Sequence, residues 1–267
     1  MDFLAAGDLS TALDARAEHP EAELLAGGTD LMVEVNLSYH RPAGVIAVRS
    51  CEELLEWEGR RIGAAVTWAR LEDGPHRALA QLARTIGSPQ IRAAGTLGGN
   101  VATASPAGDG LPWIAAIDAE IEVASQRRGT RIIAWDEFFV GVKETTLAPD
   151  EIITAILLPE HMPVSQEFAK VGVRNVMVIA MVNCVVARGE DGFRVALGSV
   201  APVPIRAYRA EEMINAETSI SDAALTEFAR IVSDEVRPIS DHRSTEAYRR
   251  HASGVLARRL VERCLAA

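Results

Sequence analysis

The amino-acid sequence predicts an α+β fold in three successive units, and three observations lead there. Over residues 1–55 helix and strand signals alternate. Residues 56–160 string short strands and helices around a glycine-rich segment. Residues 161–267 run first as antiparallel strands and then as helices.

In the first unit, residues 8–16 carry a helix-capping pattern that opens at Asp8. Residues 22–26 (AELLA) form a short apolar strand running into Gly27-Gly28. Residues 30–37 can start a helix with Asp30 in its first turn, and residues 44–50 read as a strand. The second unit holds a strand at 61–66, a helix near 76–86, the glycine-rich segment and a helix around 111–117. A strand at 120–125, a turn at Arg128-Gly129 and strands at 131–134 and 151–159 complete it.

In the third unit, EFAKVGV, VMVIAMVNCVVAR and FRVALGSVA read as antiparallel strands, the last two joined by the GEDG turn at 189–192. Residues 176–187 are the longest apolar run, broken by Asn183, and read as a buried strand. Helices follow at 207–216, 221–236 and 245–266, the second with Ser221 as N-cap.

Composition excludes several functions. The chain has 37 acidic and 27 basic side chains and a net charge of −10, with no basic cluster, which argues against nucleic acid. With 48% hydrophobic and 24% charged residues it is an ordinary globular sequence. Of the basic residues 25 are arginine and two, Lys143 and Lys170, are lysine; a GC-rich genome explains the bias, and makes each lysine worth locating. Cys51, Cys184 and Cys264 lie far apart with no CxxC, so reduced, packed thiols are expected. The N-terminus lacks a basic stretch and an apolar core, and no run approaches the ~20 residues of a membrane span, so a cytoplasmic protein is expected. The six histidines show no HExxH spacing and there is no GxSxG, so neither is assigned chemistry.

The most informative features are two glycine loops, AGGTDL at 26–31 and GTLGGN at 95–100. Adjacent glycines let the backbone curl its N–H groups around an anion with no Cβ in the way. Neither loop is followed by the lysine of a Walker-type site, and neither is GxGxxG. Two neutral loops suit a diphosphate held from both sides, with Thr29, Thr96 and Asn100 adding side-chain hydrogen bonds. Both loops are also consistent with simple tight turns. From the residues alone the reading stops at a dinucleotide site.

LLAGGTDLMVEV, SPQIRAAGTLGGNVATASPAGDGLPWIAAIDAEIEV and DEFFVGVKETTLAPDEIITAILLP resemble the FAD-binding medium subunit of the molybdenum hydroxylases, the xanthine dehydrogenase and carbon monoxide dehydrogenase family. The likeness continues through EFAKVGVR and DHRSTEAYRRHASGVLARRL, so it spans nearly the whole chain. It implies a two-subdomain FAD-binding domain of PCMH type (1–55 and 56–160) followed by a C-terminal α+β domain of antiparallel strands and helices (161–267). It implies FAD as cofactor, held at Leu25, Ala26, Gly27, Gly28, Thr29, Asp30 and Leu31, and at Thr96, Gly98, Gly99 and Asn100. Asp109 matches a cofactor-contacting Asp, although an N-cap of the following helix is an equally physical role. Ile86 and Ile153 match positions that pack on flavin or adenine; on chemistry alone both are core residues.

Lys170 matches a family lysine near FAD, with Arg174 just beyond. A cation near the flavin N1–C2 region would stabilise the reduced anionic form, whereas the plainer alternative is a surface ion pair. With 13 aromatic residues no aromatic sandwich is expected, and Trp113, Phe138 and Phe139 are assigned to the core. The arginines 249, 250, 258, 259 and 263 form a basic face of the last helix, either solvated or docking a partner.

The resemblance further implies a large molybdenum-cofactor subunit and a small subunit with iron–sulfur clusters as partners. Electrons would pass from those clusters through FAD to NAD⁺, oxygen or a quinone. Two alternatives remain from the sequence: a stand-alone FAD-dependent oxidase or monooxygenase on the same fold, and a binding module that has lost the flavin.

Overall fold

The computed structural model describes residues 2–175 and 177–267. Its first unit is a parallel three-stranded sheet. β1 (Asp2–Ala5), α1 (Leu9–Glu18), β2 (Glu23–Leu25), α2 (Leu31–Asn36) and β3 (Gly44–Ala47) follow in sequence, and the strand order is β1-β3-β2. The Asp8 side chain caps α1 by accepting from Thr11 N at 2.8 Å. β1 escapes the sequence reading because all four residues are exposed and show no alternation. Its only signature is its pairing with β3.

α3 (Glu52–Leu55) closes the first unit, and the second runs β4 (Trp57–Glu58), β5 (Arg61–Gly63), α4 (Trp68–Leu71), α5 (Arg77–Thr85), α6 (Pro89–Ala94), α7 (Leu97–Thr103) and α8 (Gly110–Ala116). It continues with β6 (Glu120–Ser125), β7 (Gly129–Ala134), α9 (Trp135–Phe138), β8 (Phe139–Gly141), β9 (Glu144–Thr145) and β10 (Ile152–Leu157). Its antiparallel sheet has the order β4-β5-β10-β6-β7, with β8 and β9 as a separate hairpin. The predicted strand at 61–66 stops at Gly63, where the chain turns, although Ala64 N still reaches Thr154 O at 2.9 Å. Hydroxyl caps start three short helices: Thr67 for α4, Ser88 for α6 and Thr96 for α7. α8 is buried along its whole length, which is why its sequence GLPWIAA carries no polar side chain. The assignment of Trp113, Phe138 and Phe139 to the core holds, all being buried.

The third unit is an antiparallel meander of β11 (Ser165–Val171), β12 (Val182–Gly189), β13 (Gly192–Gly198) and β14 (Ile205–Arg206). α10 (Tyr208–Asn215), α11 (Asp222–Glu235) and α12 (Glu246–Ala266) cover one face. Alternate residues of β12 belong to different cores: Val182, Cys184 and Val186 pack with the helices, whereas Val185 and Ala187 pack with the second unit. A strand covered on both faces has no polar side, hence the unbroken apolar run.

Two expectations change here. The strand predicted over 176–187 begins only at Val182; Val176 lies outside the described residues, and Met177 and Ile179 are exposed. Apolar composition alone could not show where in this stretch the strand begins. The arginine face of α12 also divides. Arg249 is buried and donates to Met181 O at 2.7 Å, Ser199 O at 2.8 Å and Asp241 Oδ1 at 2.8 Å. It clamps the helix to the sheet and is neither solvated nor available to a partner.

Candidate functional site

A cleft of about 820 Å³ is lined by residues of all three units, a size in the range of small-molecule and cofactor pockets. The residues that the resemblance marks for the cofactor all line it: Leu25, Ala26, Gly27, Gly28, Thr29, Asp30, Leu31, Ile86, Thr96, Gly98, Gly99, Asn100, Asp109, Ile153 and Lys170. They come from elements as distant as β2 and β11.

The two glycine loops differ in what they offer. In the first, between β2 and α2, Gly28 takes φ +69°, a conformation that favours glycine. The backbone N–H groups of Gly27, Gly28, Thr29 and Asp30 donate to no acceptor among the described residues. Four successive unpaired donors on residues that line a cleft are a ready site for anionic oxygens.

In the second loop the amides from Leu97 to Asn100 are already used. Leu97 N donates to Val66 O (3.0 Å), Gly98 N to Ala64 O (2.9 Å), Gly99 N to Thr96 Oγ1 (3.0 Å) and Asn100 N to Thr96 O (3.1 Å). The expectation of curled amides in both loops is therefore corrected: only the first presents them. The second contributes a bare surface. A Cβ on Gly99 would meet Thr96 Oγ1 at 2.9 Å and, its own helix backbone and chain neighbours aside, no other atom within 4 Å.

Gly27 and Gly98 act differently, by close approach. A Cβ on Gly27 would overlap the Ala94 carbonyl, and one on Gly98 would lie 2.6 Å from Ala64 O. These contacts press the loops onto neighbouring backbone. Thr29 and the Asn100 Nδ2 group make no hydrogen bond with a described residue, so both remain free to donate, while Asn100 Oδ1 accepts from Gly110 N at 3.2 Å. Ile153 reaches the cleft beside a β-bulge between β10 and β6, a common device for re-aiming side chains at a site.

Asp109 and Lys170 form a buried ion pair at 2.6 Å, their side chains 8% and 6% exposed. Asp109 does stand at the N-cap position of α8, but its carboxylate makes no cap bond to that helix. Its second oxygen accepts instead from Asn183 Nδ2 at 2.8 Å. Burial pushes the Asp109 carboxyl up from its ordinary value, and Lys170 and Asn183 pull against that. Nor is Lys170 in a surface ion pair: it also donates to Thr85 O and Val178 O, both at 3.1 Å. Arg174 lies just beyond and donates to Met177 O at 3.0 Å.

Sequence reasoning missed several residues in the cleft wall. Lys143 lines it, with φ +57° and Nζ 2.8 Å from Glu34 and 3.9 Å from Asp30. The rarity of lysine had marked it without giving it a place. Arg16, Glu23 and His40 also line the cleft, His40 Nε2 lying 3.0 Å from Glu23 Oε1, and nothing in the sequence signalled them.

The four unpartnered amides, the bare Gly99 and the apolar Ile86 and Ile153 fit a dinucleotide with a diphosphate at its centre. Comparison with known proteins agrees. Residues 1–161 match the model of the FAD binding domain in molybdopterin dehydrogenase, and residues 167–264 match the CO dehydrogenase flavoprotein C-terminal domain. The chain is 30% identical to the xanthine dehydrogenase FAD-binding subunit of Escherichia coli O157:H7, covering 98% of this chain and 95% of that one. It is 34% identical to the nicotinate dehydrogenase FAD-subunit of Eubacterium barkeri, over 72% of this chain and 71% of that one. Among solved structures it matches carbon monoxide dehydrogenase of Hydrogenophaga pseudoflava with a TM-score of 0.90 at 26% identity, covering 100% of this chain and 97% of that one.

Proposed function

The chain belongs to the family of FAD-binding subunits of the molybdopterin dehydrogenases, and on that premise we propose that it relays electrons between an iron–sulfur partner and a terminal acceptor. The cofactor is FAD. The single observation that carries its placement in the cleft is the run of four unpartnered amides at Gly27, Gly28, Thr29 and Asp30. Those donors would hold the diphosphate, with Gly99 leaving room for it and Thr29, Thr96 and Asn100 adding side-chain hydrogen bonds. Leu25, Ala26, Leu31, Gly98, Ile86, Ile153, Asp109 and Lys170 would complete the wall.

When bound, FAD supplies the redox chemistry, taking electrons from one partner and releasing them to another. The chain's own part is to bind, orient and shield. Ile86 and Ile153 present apolar surface that excludes water, and the first loop meets the diphosphate through the dipoles of its amides.

In this proposal a molybdenum-cofactor subunit oxidises the substrate and an iron–sulfur subunit hands its electrons to this chain. NAD⁺, oxygen or a quinone is the final acceptor. The complex works in the cytoplasm, consistent with three buried free thiols. Co-purification from the native host with mass spectrometry tests it. A molybdenum-cofactor subunit and an iron–sulfur subunit should accompany the chain in stoichiometric amounts. A chain that isolates alone, with FAD, and oxidises a small substrate unaided would replace this reading with a stand-alone flavoenzyme.

A further inference from the structure

Where this chain needs a cation it almost always uses arginine, 25 times out of 27, yet both of its lysines line the cleft. Lys170 is the more constrained. An ammonium carries three protons and no acceptor, and here each has its own partner: Asp109 Oδ2 at 2.6 Å, Thr85 O at 3.1 Å and Val178 O at 3.1 Å. The three partners lie on three separate stretches of chain. Thr85 ends α5 immediately before the cleft residue Ile86, Asp109 immediately precedes α8, and Val178 is flanked by the cleft residues Met177 and Ile179.

A second support stands beside the first. Lys170 and Asn183 are directly opposite each other in the β11–β12 ladder, and both reach Asp109, one at each carboxylate oxygen. A Cβ on Gly198, the residue facing Asn183 on β13, would overlap the Asn183 side chain, so the glycine makes the room Asn183 needs. The polar residue that interrupts the apolar run of β12 is thus part of this assembly.

We infer that Lys170 is a positioning residue, a three-way pin steadied by Asn183 through Asp109, that fixes the separation of three walls of the cleft. The inference rests on reading the cleft as the FAD site. It explains the choice of lysine. A compact ammonium directs its three protons tetrahedrally from one small atom, whereas a guanidinium is larger and spreads its five donors in one plane. Because Lys170 is paired with Asp109, the bound cofactor faces a neutral pair and not a free cation.

The test compares wild type, Lys170→Met and Lys170→Arg as full-length chains. Amide hydrogen exchange on the FAD-free proteins comes first, then FAD affinity and the midpoint potential of bound FAD. Both variants should lose protection at Ile86 and Met181, whose amides donate to Ala83 O and Val171 O, and bind FAD at least tenfold more weakly. The potential of the saturated Lys170→Arg variant should stay at the wild-type value, since the charge pair with Asp109 is kept. Wild-type exchange in either variant overturns the pin. Full rescue by Lys170→Arg, or a lowered potential with unchanged exchange, overturns it in favour of a direct charge effect. The exchange measurement needs no cofactor, so a wild-type chain that fails to bind FAD would sink the FAD reading and leave the pin to be judged by itself.

Discussion

Gly27 packs its bare Cα against the backbone carbonyl of Ala94, so the first glycine loop rests on the chain that leads into the second. No side chain fits there, because backbone does not yield as a flexible side chain would. Gly27→Ala should therefore part the loops, costing about 1–3 kcal/mol, the usual range for overpacking. A lowered thermal midpoint together with loss of bound flavin is the expected result.

Gly99→Val should behave differently. Its new Cβ would disturb only the Thr96 hydroxyl, at 2.9 Å, with otherwise open space around it. Weakening that cap costs about 1 kcal/mol, so the chain should fold while the added methyls block the diphosphate. Thermal denaturation and flavin content separate the two glycines: near-native melting without flavin for Gly99→Val, both lost for Gly27→Ala.

Arg249→Met strips donors from two buried carbonyls, Met181 O and Ser199 O, and from Asp241. Breaking a buried charged cluster costs about 3–5 kcal/mol, or roughly 10 °C in a chain of this size. Arg259 is exposed on the same helix, and Arg259→Met should shift stability by no more than about 0.5 kcal/mol. Paired melting curves check the contrast.

Glu151 supplies the pH dependence. Arg131 binds both of its oxygens, Nε to Oε1 at 2.7 Å and Nη2 to Oε2 at 2.8 Å, and holds the carboxyl below the usual carboxylate range. The stability this adds is fully present above the unfolded value near ~4.3 and is lost as pH falls through the lowered folded value. Glu151→Gln should cost about 2 kcal/mol at neutral pH by the scale of charged hydrogen bonds. The gap from wild type should close in acid, which denaturant titrations at pH 7 and in acid would show.

All three thiols are buried, and burial pushes each up from its ordinary value, Cys51 to about 11. The native chain should resist alkylation at neutral pH and release three reactive thiols on unfolding. Rapid labelling of the native protein would contradict the packing described here.

Much of this architecture is legible in the residues themselves. Ser221 announces α11, and the long apolar run announces β12 through its two covered faces. The adjacent glycines mark both loops, because a backbone that must curl or touch backbone leaves that trace. What escapes is whatever arises only when distant segments meet. β1 has no pattern because it is exposed throughout and is held by β3 alone. Asn183 reads as a blemish in a strand until the ladder sets it opposite Lys170 and beneath Asp109. Arg249 looks like its solvated neighbours on α12, although one helical position turns it into the core. The difference in amide use between the two glycine loops depends on Ala64 and Val66, some thirty residues away from the second loop, and no local motif encodes it.

The most direct test of the whole account is the flavin content of the purified full-length chain after incubation with FAD and removal of the excess. One FAD per chain in the wild type and almost none in a folded Gly99→Val variant is the predicted result. A wild-type chain that stays colourless, or a Gly99→Val variant that retains FAD at the wild-type level, would contradict the placement of the cofactor over the two glycine loops.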